Sequence, residues 1–222
     1  MTRQEKAFGT LWLLFETLFF ATLLQTLNSL LPTPLPQSEV NFVFFSVNFI
    51  AVIFIFRRYL WGQVQLLPEV LWKVLYTAIP GLVIYWAVNF LLVQVLFTWD
   101  PNFTSVNDIT IQKLVAEDYA LMFLGSVIFV PITEECLFRG LVFRGLYDRS
   151  PILGWVLSVV LFSAVHIIGY IGAYPFQTIF LCFAQYIPAG VCLAGAYCLS
   201  GSLLSPILIH ALVNLIGMLA LR

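Results

Sequence analysis

The sequence predicts an all-α, polytopic transmembrane helical bundle of about seven spans, the last four forming a C-terminal core. Three observations predict it. Of 222 residues, 61% are hydrophobic and only 9% are charged, whereas ordinary soluble domains carry about 25% charged residues. Seven apolar runs follow one another along the chain, each near the ~20 residues that a helix needs to cross the hydrocarbon core. The runs are continuous rather than alternating, which excludes a closed β-barrel.

The first run, 9–31, follows the basic start MTRQEK. It is too long for a signal-peptide h-region and no A-x-A site follows it, so it reads as a retained helix. PTPLPQ at 32–37 is a stiff, non-helical connection, because its prolines fix φ and lack N–H donors. The second run is 40–56; YLWGQVQLLPE at 59–69 mixes aromatic, apolar and polar residues and reads as interfacial, ahead of the third run at 70–97. The one long polar stretch, 98–118, reads as an extracytoplasmic loop between three N-terminal spans (1–97) and the core (119–222). The core runs are 119–147, 151–169, 175–199 and 202–221.

Lys and Arg collect in cytoplasmic loops. Threading seven spans from a cytoplasmic N-terminus puts Arg3, Lys6, Arg57, Arg58, Lys73, Arg144 and Arg149 at or near the inner side, with only Lys113 and Arg222 outside. The expected location is therefore the cell membrane, multi-pass, with the lipid bilayer as the first partner. A net charge of −1 with ten Lys and Arg leaves no basic surface for nucleic acid. Cys136, Cys182, Cys192 and Cys198 lie in apolar runs without a CxxC pair, so they read as small core residues.

Ionisable residues inside a membrane are costly and face an interior or a wet cavity. Here they are Glu16 in the first span, Glu134, Glu135 and Arg139 in the fourth, His166 in the fifth, and His210 in the seventh with Asn214 one turn on. Glu134 lies fifteen positions before Arg149 and His166 fifteen after Pro151. At 1.5 Å per residue both are about 22 Å from the turn that joins their helices, so they should be level. From the Gly201 turn, His210 and Asn214 lie at about 14 and 20 Å, a similar depth. Glu135 and Arg139 are i, i+4 and can pair, leaving Glu134 turned away by about 100°. Phe162 and His166 repeat the i, i+4 spacing, and Pro131 should bend the fourth span and free backbone carbonyls beside the glutamates. Glu16 fits least well and reads as a partner for Gln25 or Asn89.

A carboxylate in an apolar site beside an imidazole can activate water, with His210 and Asn214 donating to the oxyanion. Alternatively, Glu134, His166, His210 and Asn214 hold one divalent metal such as zinc, whose bound water is the nucleophile. Spacing does not separate the two. No GxSxG is present, and Cys136 is a poor candidate for nucleophile.

EECLFRG (134–140) resembles the EExxxR motif, FSAVH (162–166) the FxxxH motif and HALVN (210–214) the HxxxN motif of the type II CAAX prenyl endopeptidase and bacteriocin-processing family of intramembrane proteases, formerly Abi. The three motifs stand in the family's order within 119–221. The resemblance implies that Glu134 with His166 activates water, that His210 and Asn214 polarise the substrate carbonyl or bind metal, and that Glu135 and Arg139 support them. It implies a peptide or membrane-anchored protein as substrate, with CAAX-type trimming, bacteriocin or pheromone processing, or self-immunity as the setting. A noncatalytic membrane immunity protein binding a peptide or sensor kinase is the first alternative. A small proton-coupled transporter is the second, disfavoured by the lack of an inverted repeat.

Overall fold

The computed structural model describes all 222 residues. Its long helices are α1 (Arg3–Ser29), α2 (Gln37–Ile55), α3 (Arg57–Trp99), α4 (Val106–Glu117), α5 (Tyr119–Tyr147), α6 (Pro151–Val165), α7 (Phe176–Ser200) and α8 (Leu204–Ala220). The chain is all-α and polytopic: α1, α2, α3, α5 and α7 are long and apolar enough to cross a membrane, while α6 and α8 are apolar but shorter. Five helices, rather than seven, therefore meet the length criterion. The fifteen residues of α6 reach about 22 Å, less than the ~30 Å hydrocarbon core.

Two connections differ from expectation. Residues 59–69 do not form a separate interfacial piece, because α3 runs unbroken for 43 residues through Pro68 and Pro80, about 65 Å. The stretch 98–118 is not all loop, since it folds into α4. Its start carries a signal that polarity conceals: Ser105 caps α4 by accepting from the Asp108 N–H, the arrangement favoured at helix N-termini.

Neither α2 nor α3 has a side-chain cap of its own, and both are capped from a distant part of the chain. The Glu117 carboxylate at the end of α4 accepts from the Ser38 N–H at the start of α2. Glu5 accepts from the Tyr59 N–H at the start of α3 at 2.9 Å while closing a capping box with Thr2. A carboxylate at an N-terminal turn satisfies an orphan donor and meets the positive end of the helix dipole. The Ser38 bond favours the ionised form of Glu117 and holds it below the usual carboxylate range.

The N-terminal helices are not a separate layer. The long α3 packs against α7 and α8, and α1 packs against the middle of α5. The core they enclose contains Phe138, Phe162, Leu193, Ala196 and Ile209, with Ala78 of α3 and Leu13 of α1 against it. Gly190 on α7 permits a close approach, since a Cβ there would sit 3.1 Å from Val159 of α6.

Candidate active site

The site is built on α5, whose backbone departs twice from α geometry. Residues Gly125–Phe129 and Cys136–Phe143 are π-helical, on either side of Val130–Glu135. Such widened turns are rare and concentrate at functional sites. The first has a cause in Pro131, which lacks an N–H and whose ring clashes with an α-helical carbonyl. The Val130 N–H reaches back to the Gly125 carbonyl, so neither the fourth nor the fifth residue after Ser126 offers its carbonyl a backbone donor. The Asn214 amide of α8 fills the vacancy, donating from Nδ2 to the Ser126 carbonyl at 2.8 Å. The proline thus frees a carbonyl as expected, and the sequence partner for it is Asn214.

Glu135 and Arg139 are both fully buried and pair at 3.0 Å. The guanidinium also donates to the Gly190 carbonyl at 3.1 Å and lies 4.3 Å from the centre of the Phe162 ring. His210 joins this pair: its Nδ1 lies 2.9 Å from Glu135 Oε1. Because that oxygen already accepts from Arg139, Nδ1 carries the proton and donates, which leaves Nε2 as the free edge of the ring. His210 therefore leans on Glu135, an arrangement that spacing along the chain did not reveal.

Glu134 and His166 meet as the depth count requires. His166 Nε2 faces Glu134 Oε2 across 3.9 Å, with the side chains 16% and 21% exposed. Nδ1 of His166 lies 2.7 Å from the Phe162 carbonyl, which can only accept, so Nδ1 bears the hydrogen and Nε2 presents its lone pair to the carboxylate. His166 is not inside its helix but is the C-cap of α6, so its ring stands at the point where the helix stops. Phe162 thus ties the site together: its carbonyl fixes the His166 tautomer, and its ring contacts His166, His210 and Arg139.

Several polar atoms of this region have no partner: Thr133 Oγ1, Glu134 Oε2, Glu135 Oε2, Arg139 Nε and Ser163 Oγ are buried and unbonded. Buried polar groups are normally satisfied, and a cluster of unsatisfied ones marks a place for water or a ligand.

The four candidate metal ligands divide between different contacts. Donor chemistry suits a divalent metal, because both histidines expose Nε2 while an oxygen fixes Nδ1. Placement does not: no three His, Cys, Asp or Glu side chains are grouped to hold a metal. His210 is drawn to Glu135, and Asn214 to the carbonyl that Pro131 frees. Glu16 does not bond to Gln25 or Asn89. Gln25 bonds instead to Gln37, and Glu16 sits half-buried on a π turn of α1. Cys136 is fully buried, which fits a core residue.

Residues 116–216 match the family described as Type II CAAX prenyl endopeptidase Rce1-like. The chain is also 33% identical over 105 residues to an Escherichia coli protein described as an uncharacterized 24.3 kDa protein, a match covering 46% of this chain and 45% of that relative. No solved structure matches the chain.

Proposed function

We propose that this chain, whose residues 116–216 belong to the type II CAAX prenyl endopeptidase Rce1-like family, is an intramembrane endopeptidase that hydrolyses a peptide bond in a membrane-associated peptide or protein. One observation carries the reading: the unpartnered Glu134 Oε2 faces the free Nε2 of His166 across 3.9 Å. That gap is too long for a direct hydrogen bond and suits a bridging water.

In this reading the water donates one hydrogen to Glu134 and the other to His166. As its oxygen bonds the scissile carbonyl carbon, Glu134 takes the proton. When the C–N bond breaks, that proton passes to the leaving amine. His210 can meet the oxyanion, since its Nε2 is its only uncommitted nitrogen and donates when the ring is doubly protonated. Asn214 keeps one amide hydrogen beyond the one given to Ser126. Glu135 and Arg139 act by fixing His210 and Phe162. A bound metal would supply a more acidic water.

We further propose that the protein lies in the cell membrane with seven crossings and a cytoplasmic N-terminus and acts on a prenylated CAAX-type, pheromone or bacteriocin substrate. The test uses purified protein in lipid nanodiscs with a quenched fluorescent peptide ending in a farnesylated cysteine motif. Glu134→Gln and His166→Ala should each abolish cleavage while leaving expression and folding intact. Both variants cleaving at the wild-type rate would overturn the proposal. Elemental analysis, with rates before and after chelation, distinguishes the metal-free route from the metal-dependent one.

A further inference from the structure

His166 has one more neighbour that the proposed chemistry does not use. The Tyr186 ring of α7 stacks on its imidazole with centroids 4.1 Å apart and planes at 23°. Phe162 packs on the imidazole as well, at 4.8 Å and 53°. A ring anchored only through Nδ1 can still swing about that bond. Contact with a second aromatic face removes this freedom and aims Nε2 at Glu134.

Tyr186 is itself held. Its hydroxyl accepts from Asn107 Nδ2 at 2.9 Å, and Asn107 Oδ1 accepts from the Tyr170 hydroxyl at 3.3 Å. Asn107 belongs to α4, in the polar stretch 98–118, and Tyr170 lies four residues beyond His166 in the connection that leaves α6. The circuit His166, Tyr186, Asn107, Tyr170 therefore closes on itself through the chain. Apolar contacts seal it, since Phe103 and Val106 share a cluster with Ile167, Leu181 and Cys182.

We infer that Tyr186 is a positioning residue for His166, held in register by Asn107, so that the segment 98–118 sets the orientation of the water-activating imidazole. The inference rests on the endopeptidase reading, and its test separates the two. The chain has only two histidines, so ¹³C-labelled imidazole gives two NMR signals in nanodiscs, assigned by His210→Gln. Tyr186→Leu should shift the His166 signal away from its ring-shielded position. It should also lower kcat on the farnesylated peptide by about tenfold to a hundredfold, the range for a displaced catalytic group, with KM unchanged. Tyr186→Phe keeps the stacking face but loses the Asn107 bond, so it and Asn107→Ala should both have kcat values between those of wild type and Tyr186→Leu.

An unmoved His166 signal in Tyr186→Leu would overturn the inference, as would a shifted signal with unchanged kcat. Wild-type rates in Glu134→Gln and His166→Ala would instead defeat the endopeptidase reading, and the NMR signal would then decide the stack by itself.

Discussion

Removing Arg139 tests how the site is held. Arg139→Ala takes away the partner of Glu135, a donor to the Gly190 carbonyl and a cation resting on Phe162, all at a position with no exposure. Deleting one member of a buried ion pair costs about 3–5 kcal/mol, because the other charge stays buried. The cation–π contact is part of that figure, not an addition to it. At roughly 2–4 °C per kcal/mol for a chain of this size, the melting temperature should fall by about 6–20 °C. His210 keeps its bond to Glu135 but loses the cation that fixes the shared oxygen, so cleavage should fall together with stability. Thermal unfolding in detergent, followed by the fluorescence of the six tryptophans, measures the shift. The double variant Glu135→Gln with Arg139→Met should recover part of the loss, since it removes both charges. A melting temperature for Arg139→Ala within about 2 °C of wild type, less than the shift expected for 1 kcal/mol, would refute the structural role assigned to the pair.

Asn214→Leu leaves the Ser126 carbonyl unpaired and should destabilise by about 1–3 kcal/mol. Pro131→Ala restores a backbone donor, so unfolding of the two single variants and the double should be non-additive; strict additivity would contradict the link. Glu117 gives a pH dependence. Its folded-state pKa is depressed by the Ser38 bond, so its contribution is complete above the ordinary carboxylate range and is lost as pH falls through the folded value. Melting temperatures of wild type and Glu117→Gln should therefore differ near neutrality and converge in acid, and a constant gap would count against the cap. Cys136→Ala should cleave at the wild-type rate in the peptide assay, and loss of activity with an unchanged melting temperature would revive a thiol nucleophile.

How much of this was legible in the sequence depends on the kind of relation. Apolar runs marked the five helices long and apolar enough to cross a membrane and the two shorter apolar ones, because length and continuity are one-dimensional. The Glu135–Arg139 pair was legible from i, i+4 spacing, and the Glu134–His166 meeting from equal distances to a shared turn. The His210–Glu135 contact was not, since it depends on how α8 is rotated against α5 and adjacent carboxylates look alike in sequence. Nor was the distant capping by Glu5 and Glu117, which joins residues 54 and 79 positions apart. The helix α4 was missed because its polar composition masked the Ser105 cap. Tyr186 looked like one aromatic among many, and only its stacking on His166 sets it apart.

Cleavage in the proposed mechanism depends on water activated between Glu134 and His166. Cleavage of the farnesylated peptide in H₂¹⁸O, read by mass spectrometry, tests this most directly. Wild type should place one ¹⁸O in the new C-terminal carboxylate, and Glu134→Gln and His166→Ala should yield no labelled product. Labelled product formed by either variant at the wild-type rate would contradict it.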